Sequence, residues 1–174
     1  MAEIQVDPDK IFSELVDRGQ CDRAALMDAI RVLEKKGLKV EEVTKLDGEW
    51  QLLWTSGTKQ YQKLQGMGKT GQIDKSQQKI VQRINSEANI IENEVNSAIA
   101  SLNVIGSFAY INNKIEFVFR RVIVKLGQLP AIAIPMGNWA KGWLKTTYLD
   151  ENWHIERGDR GGISLYGKIK SEQE

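Results

Sequence analysis

Gly48-Glu49-Trp50-Gln51-Leu52-Leu53-Trp54-Thr55-Ser56 is the stretch at which the chain changes character. Trp50, Leu52 and Trp54 recur at every second position, which puts them on one face of an extended strand and leaves Glu49, Gln51 and Leu53 on the other. From Gly48 onward, β-branched and aromatic runs follow one another, broken by Gly and Asn pairs, as in a succession of antiparallel strands. The pattern predicts strands at Trp50 to Trp54, Gly71 to Ile84, Ile90 to Val95, Asn103 to Ile111, Ile115 to Val124, Ala131 to Ile134, Leu144 to Leu149, Trp153 to Arg157 and Ile163 to Ile169. Asn112-Asn113 reads as a tight hairpin turn because both residues tolerate positive φ, and Asp159 to Gly162 as a second turn of the same kind. Gln60 to Leu64 is the one segment of this region that fits a short helix. Short strands with no helices between them favour a closed antiparallel barrel of about eight strands over a parallel α/β sheet.

Upstream of Gly48 the apolar period is 3.6 instead of 2. Asp7-Pro8 is a helix start, Asp capping the free amides and Pro having none to leave unpaired. Ile11, Phe12, Leu15 and Val16 share a face of the helix that follows to about Asp17, and Gly19 stops it. Asp22 opens a second helix with Leu26, Ile30 and Leu33 at helical spacing, Lys35 and Lys36 in its last turn and Gly37 as its stop. The expected organisation is an N-terminal helical hairpin over residues 1–40, packed on a barrel over 41–174 as a single structural unit. The polar stretch Lys39 to Asp47 is the only seam.

Composition narrows the function. In 174 residues, 24 Lys and Arg stand against 23 Asp and Glu, so no global field points to nucleic acid or to an anionic membrane. One cysteine, Cys21, and one histidine, His154, rule out an intramolecular disulfide or a Cys/His zinc cluster. The longest apolar run, Ala131 to Met136, is far shorter than the ~20 residues of a spanning helix. Met1 to Pro8 has neither the apolar core of a secretory signal nor the Arg-rich composition of a transit peptide.

Catalytic motifs fail on inspection. Ser56-Gly57-Thr58-Lys59 and Gly66-Met67-Gly68-Lys69-Thr70 resemble phosphate-binding loops only in part: the second has the Gly-Lys-Thr ending but lacks the first Gly at the required spacing, and strand-like residues follow it. His154 alternates with Trp153 and Ile155, so it is expected to face water with Asn152 and Glu156, without an oriented nucleophile. Asp150, Glu151, Glu156 and Asp159 read as turn and pairing residues beside Arg157 and Arg160. Cys21 reads as a small apolar residue in the helical hairpin, the other reading being a thiol activated at a helix start.

Two stretches carry a resemblance. Gly48-Glu49-Trp50 has the Gly-x-Trp arrangement that opens calycin (lipocalin-type) barrels. Gly142-Trp143-Leu144-Lys145-Thr146-Thr147-Tyr148-Leu149-Asp150-Glu151-Asn152-Trp153-His154-Ile155-Glu156-Arg157-Gly158-Asp159-Arg160-Gly161-Gly162 closely resembles the signature of the plastid lipid-associated protein (plant fibrillin) family, with its Thr-Thr-Tyr-Leu-Asp strand and Arg-Gly-Asp-basic-Gly turn. The resemblance spans about Val40 to Tyr166. Lys145 and Trp153-His154 depart from the family pattern, which leaves subfamily and ligand open. The resemblance implies a lipocalin-like barrel that carries, stores or organises a lipophile of the quinone, carotenoid or fatty acyl class. It also implies thylakoid or plastoglobule-type membranes, in a cyanobacterium or as a mature plastid form. An indole at the narrow end of such barrels is covered by an Arg from the last strands, a role that falls to Arg157 over Trp50. The implied ligand-binding residues are Trp50, Leu52, Trp54, Thr146, Tyr148 and Arg157, with Thr146 and Tyr148 on one face offering hydroxyls to a head group. No catalytic residue, metal or cofactor beyond a bound lipophile is expected, and no nucleic acid partner. The alternatives are a scaffold that coats lipid globules or docks a prenyl-lipid biosynthetic enzyme, and a bilin-lyase-like calycin enzyme.

A second expectation concerns the segment around Pro130 and Pro135, whose prolines exclude a central strand. As a loop, it would present Leu129, Ile132, Met136 and Trp139 to a lipid interface with Lys141 at the head groups. The other reading places Ile132 and Ile134 in a core strand.

Overall fold

The structure is a computed structural model in which residues 6–37, 43–57, 79–137 and 140–170 are described. Two helices come first, α1 (Pro8–Arg18) and α2 (Arg23–Lys36). Asp7 accepts from the Lys10 amide and Asp22 from the Ala25 amide, while Gly19 ends α1 in the left-handed region at φ 70°, so the capping residues read from the sequence act as caps.

A 3-10 turn at Val43–Leu46 leads into nine strands: β1 (Gly48–Thr55), β2 (Lys79–Asn85), β3 (Ile90–Asn96), β4 (Ala100–Ile111), β5 (Lys114–Leu126), β6 (Ile132–Pro135), β7 (Lys141–Leu149), β8 (Trp153–Gly158) and β9 (Ile163–Lys168). The sheet runs β4-β3-β2-β1-β9-β8-β7-β5-β6, and a β4–β5 pairing closes it. The result is the eight-stranded antiparallel barrel that the sequence predicts, with β6 as an extra strand on the upper half of β5. Of the expected strand Gly71 to Ile84, residues 71–78 lie outside the described residues, as do Gln60 to Leu64 and Gly66 to Thr70. Asn112 and Asn113, at φ 51° and 61°, make the two-residue turn between β4 and β5.

Strands β1, β8 and β9 are buried on both faces. Outside, Leu53, Trp54, Trp153, Ile155, Ile163 and Leu165 pack against Phe12, Leu15, Leu26, Ala29, Ile30 and Leu33 of the helices. Inside, Trp50, Leu52 and Tyr166 join Leu46, Ile80, Ile84, Ile91, Phe108 and Ile115. Polar latches hold the helices down: Trp153 Nε1 donates to Asp9 at 2.6 Å, and Arg157 donates through Nε and Nη2 to both oxygens of Glu34 at 2.8 and 2.7 Å.

Two β-bulges correct the sequence reading. Between Leu52 and Trp54 the register against β9 slips by one residue, so Trp54 leaves the face of Trp50 and Leu52 and enters the helix-facing cluster. A second slip between Thr146 and Tyr148 sends Thr146 inward and Tyr148 outward, although strict alternation puts them on one face.

Candidate functional site

The floor of the barrel is built around Trp50. Its Nε1 donates to the Leu46 carbonyl at 2.8 Å, and the Lys168 ammonium lies 4.2 Å from the centre of its ring while donating to the Asp47 carbonyl. Gly48 explains the Gly-x-Trp pattern here: at φ 119° a Cβ would stand 2.6 Å from Lys168 Nζ, so the glycine leaves room for the cation to reach the indole. The expected partner Arg157 is elsewhere. It sits on the outer face of β8, 44% exposed, paired with Glu34, because its odd position on β8 points away from the barrel. The cation–π contact is real, but a lysine on the last strand makes it.

His154 and Glu156 do not face water. They are 0% and 1% exposed and point into the barrel, since the helices bury the other face of β8 and its even residues become the inner wall. With Gln82 and Thr146, each 1% exposed, they form a polar cluster above the Trp50 floor. Thr146 Oγ1 lies 3.2 Å from His154 Nε2, and His154 Nε2 lies 3.4 Å from Glu156 Oε1. The His154 ring stacks on Tyr166 at 5.6 Å and meets Trp50 edge-on at 5.2 Å. Burial pushes the Glu156 carboxyl up to about 8, although Tyr166 and Gln82 pull it the other way. Burial, helped by the charge of Lys168, brings the His154 imidazole down to about 3. At neutral pH the two are a carboxylic acid and a neutral imidazole, not an ion pair. Gln82 Oε1 and His154 Nδ1 lack a partner in hydrogen-bonding geometry.

Sequence reasoning missed this cluster. It judged one strand by alternation alone, and that strand is covered on both sides. The available signal was β9, where Leu165 and Tyr166 make both faces apolar and mark a doubly covered neighbourhood.

The remaining expected site residues disperse. Leu52 lines the interior; Tyr148 packs beside the helices and its hydroxyl donates to Asp150 at 2.7 Å, with burial first and Asp150 second pushing its pKa up to about 12. Asp150 also accepts the Asn152 and Trp153 amides, a turn role. Burial, then Asp22 and Glu14, push the Cys21 thiol up, against an activated thiol. Among the described residues no group of three His, Cys, Asp or Glu is placed to hold a metal.

At the end of the barrel away from Trp50, β4, β5 and β6 run on as a three-stranded flap. Leu102 pairs with Val124 and Val124 with Ile132; Val104 pairs with Val122 and Val122 with Ile134. These residues continue the inward face that carries Phe108 and Tyr110 lower on β4. Yet Ile132 is 63% exposed and Ile134 48%. Ile132 and Ile134 therefore belong to a strand, but an exposed edge strand and not a core one. Leu129 and Lys141 are exposed and Met136 is half-buried; Trp139 lies outside the described residues. Where β5 parts from β7, a cavity of about 690 Å³ is lined by Phe108, Phe117, Val118, Gly142, Trp143 and Asp159 among others. Among the described residues no helix is long and apolar enough to cross a membrane.

No curated protein and no solved structure matches the chain. The PAP_fibrillin family model does, over residues 15–165, a span that runs from within α1 to within β9 and takes in both the Trp50 floor and the buried His154–Glu156 strand. On that match the chain belongs to the PAP_fibrillin family.

Proposed function

We propose that this protein carries or organises a lipophilic molecule of the quinone, carotenoid or fatty acyl class at a thylakoid or plastoglobule-type membrane, by binding and not by catalysis. Family membership and the closed barrel are consistent with a lipid-associated role. The observation that carries the reading is the flap: the apolar inward face of the barrel extends past its closed part and stays exposed at Leu102, Leu126, Ile132 and Ile134. Exposed aliphatic side chains in cross-strand register are costly in water and are stabilised by a lipid interface. The charge around them fits that surface. Between Ser97 and Leu149 the one acidic residue is Glu116, against Lys114, Arg120, Arg121, Lys125, Lys141 and Lys145, so the region of the flap is basic in a chain whose total charge is nearly balanced. A molecule leaving the membrane would pass along the flap without leaving apolar contact.

The test is flotation with zwitterionic vesicles, with and without an anionic lipid, together with solvent extraction of the purified protein. Wild type is expected to float, more strongly with the anionic lipid, and to yield or take up a lipophile. Ile132→Ser combined with Ile134→Ser is expected to weaken flotation about tenfold, since two aliphatic side chains leave the interface. Unchanged flotation of the double variant, with no lipophile recovered or taken up, would remove the proposal.

A further inference from the structure

The carrier reading leaves the ligand's chemistry open, and the interior of the barrel narrows it. Gln82, Thr146, His154 and Glu156 come from β2, β7 and β8 and converge inside a wall that is otherwise apolar, each at most 1% exposed. Purely hydrophobic cargo would gain nothing from them, and burying polar groups without partners costs stability. Two atoms of this cluster, Gln82 Oε1 and His154 Nδ1, lack a partner in hydrogen-bonding geometry, whereas the Glu156 carboxyl interacts with the Tyr166 and Gln82 side chains. The next inward position on β8 after Glu156 is Gly158, opposite Leu144, where a methyl group would be in ordinary contact with Leu144 Cδ2 at 3.8 Å. The inner wall thus loses its side chain on the side of Glu156 that faces away from the Trp50 floor.

We propose that Gln82, Thr146, His154 and Glu156 form a hydrogen-bonding station inside the barrel for the uncharged, hydroxyl-bearing end of a lipophile, an alcohol or quinol and not a carboxylate or a hydrocarbon. Charge decides between these classes. Among the described residues no free cation belongs to the cluster: the Lys168 ammonium, whose charge acts on His154, lies over Trp50 and donates to the Asp47 carbonyl. A fatty carboxylate would enter a buried site with no counter-ion and with the Glu156 carboxyl already in it. A hydroxyl group both donates and accepts, which suits a cluster that holds a carboxylic acid proton together with unpaired acceptors such as Gln82 Oε1. A hydrocarbon would leave those atoms unpaired.

This inference rests on the carrier reading, and the experiment separates the two. Quenching of tryptophan fluorescence would be titrated at pH 7 with 1-hexadecanol, hexadecane and palmitate, in wild type, Glu156→Gln and Glu156→Leu, with folding checked by near-ultraviolet circular dichroism. Wild type is expected to prefer hexadecanol about tenfold over both others, the worth of one buried hydrogen bond or slightly more. Glu156→Gln, which keeps a donor and an acceptor, retains most of the preference, and Glu156→Leu loses it while still binding hexadecane. Should Glu156→Leu fail to fold, the ranking in wild type and Glu156→Gln decides alone. Equal binding of all three probes by wild type, or stronger binding of palmitate, overturns the station and leaves the carrier reading standing. Binding of none of them overturns both.

Discussion

The two sides of this barrel solve the burial of a sheet in opposite ways. Strands β1, β8 and β9 are closed in twice, by the helices outside and by the opposite wall inside, so even His154 and Glu156 have lost contact with water. The flap of β4, β5 and β6 carries the same inward face but has nothing described opposite it, and all four residues of β6 are exposed. The first side holds the fold together, whereas the second offers surface to something else. A strand's sequence pattern therefore reports how many of its faces are apolar, not whether those faces are covered.

The sharpest way to break this comparison is to empty the covered side. Phe12 is fully buried and meets the Trp153 ring edge-on at 5.2 Å. Phe12→Ala is expected to cost about 3–5 kcal/mol of unfolding free energy in a urea titration. A loss no larger than that of an exposed flap substitution would mean that the helices are not part of the cooperative core.

The next effect is pH dependence from the buried pair. Glu156 sits at about 8 in the folded chain against an ordinary 4.5, so the folded state keeps a proton that the unfolded chain releases, and stability falls as pH rises from about 4.5 through about 8. His154 sits at about 3 against 6.5; the unfolded chain takes up that proton first, and stability falls as pH drops from about 6.5 toward 3. The two contributions oppose each other between 4.5 and 6.5, which leaves the alkaline decline to Glu156. Wild type is expected to lose stability between pH 6.5 and 8 with a slope of at most about 1.4 kcal/mol per pH unit, the linkage of one proton. Glu156→Gln should flatten that limb, and a profile unchanged by the substitution would place the carboxyl in water.

The smallest effect concerns the latch between the helices and β8. Glu34 accepts from Arg157 and also from the Thr147 hydroxyl at 2.8 Å, and its carboxyl is held below the ordinary range by these contacts although burial opposes them. Because nearly half of the Arg157 side chain is exposed, Glu34→Ala is expected to cost only about 1 kcal/mol. The difference between variant and wild type should shrink in high salt, as for any partly exposed pair. An effect several times larger, insensitive to salt, would show that the helices are held by this charge pair more than by Phe12 and its neighbours.

Much of the architecture is legible in local chemistry. Asp7, Asp22 and Gly19 mark helix ends because capping and left-handed geometry depend on residues next to one another, and Asn112-Asn113 marks a hairpin for the same reason. The site is less legible. Trp54 and Tyr148 fall on the wrong face by simple alternation because a bulge adds one residue and reverses everything after it. Arg157 was the expected cover for Trp50 on its place in a motif, yet the side chain that can reach the indole is Lys168, brought there by the pairing of Trp50 with Lys168 across β1 and β9.

What the sequence determined by itself is the order and kind of the elements, the helical hairpin, the strands and the turns between them, since period and turn chemistry act over a few residues. Only the tertiary structure decided which faces are inside. Closure of β4 on β5 and the helices lying over β8 turned a histidine and a glutamate into interior groups and left isoleucines of β6 uncovered. Burial depends on what lies opposite a residue in space, and no stretch of chain carries that information alone.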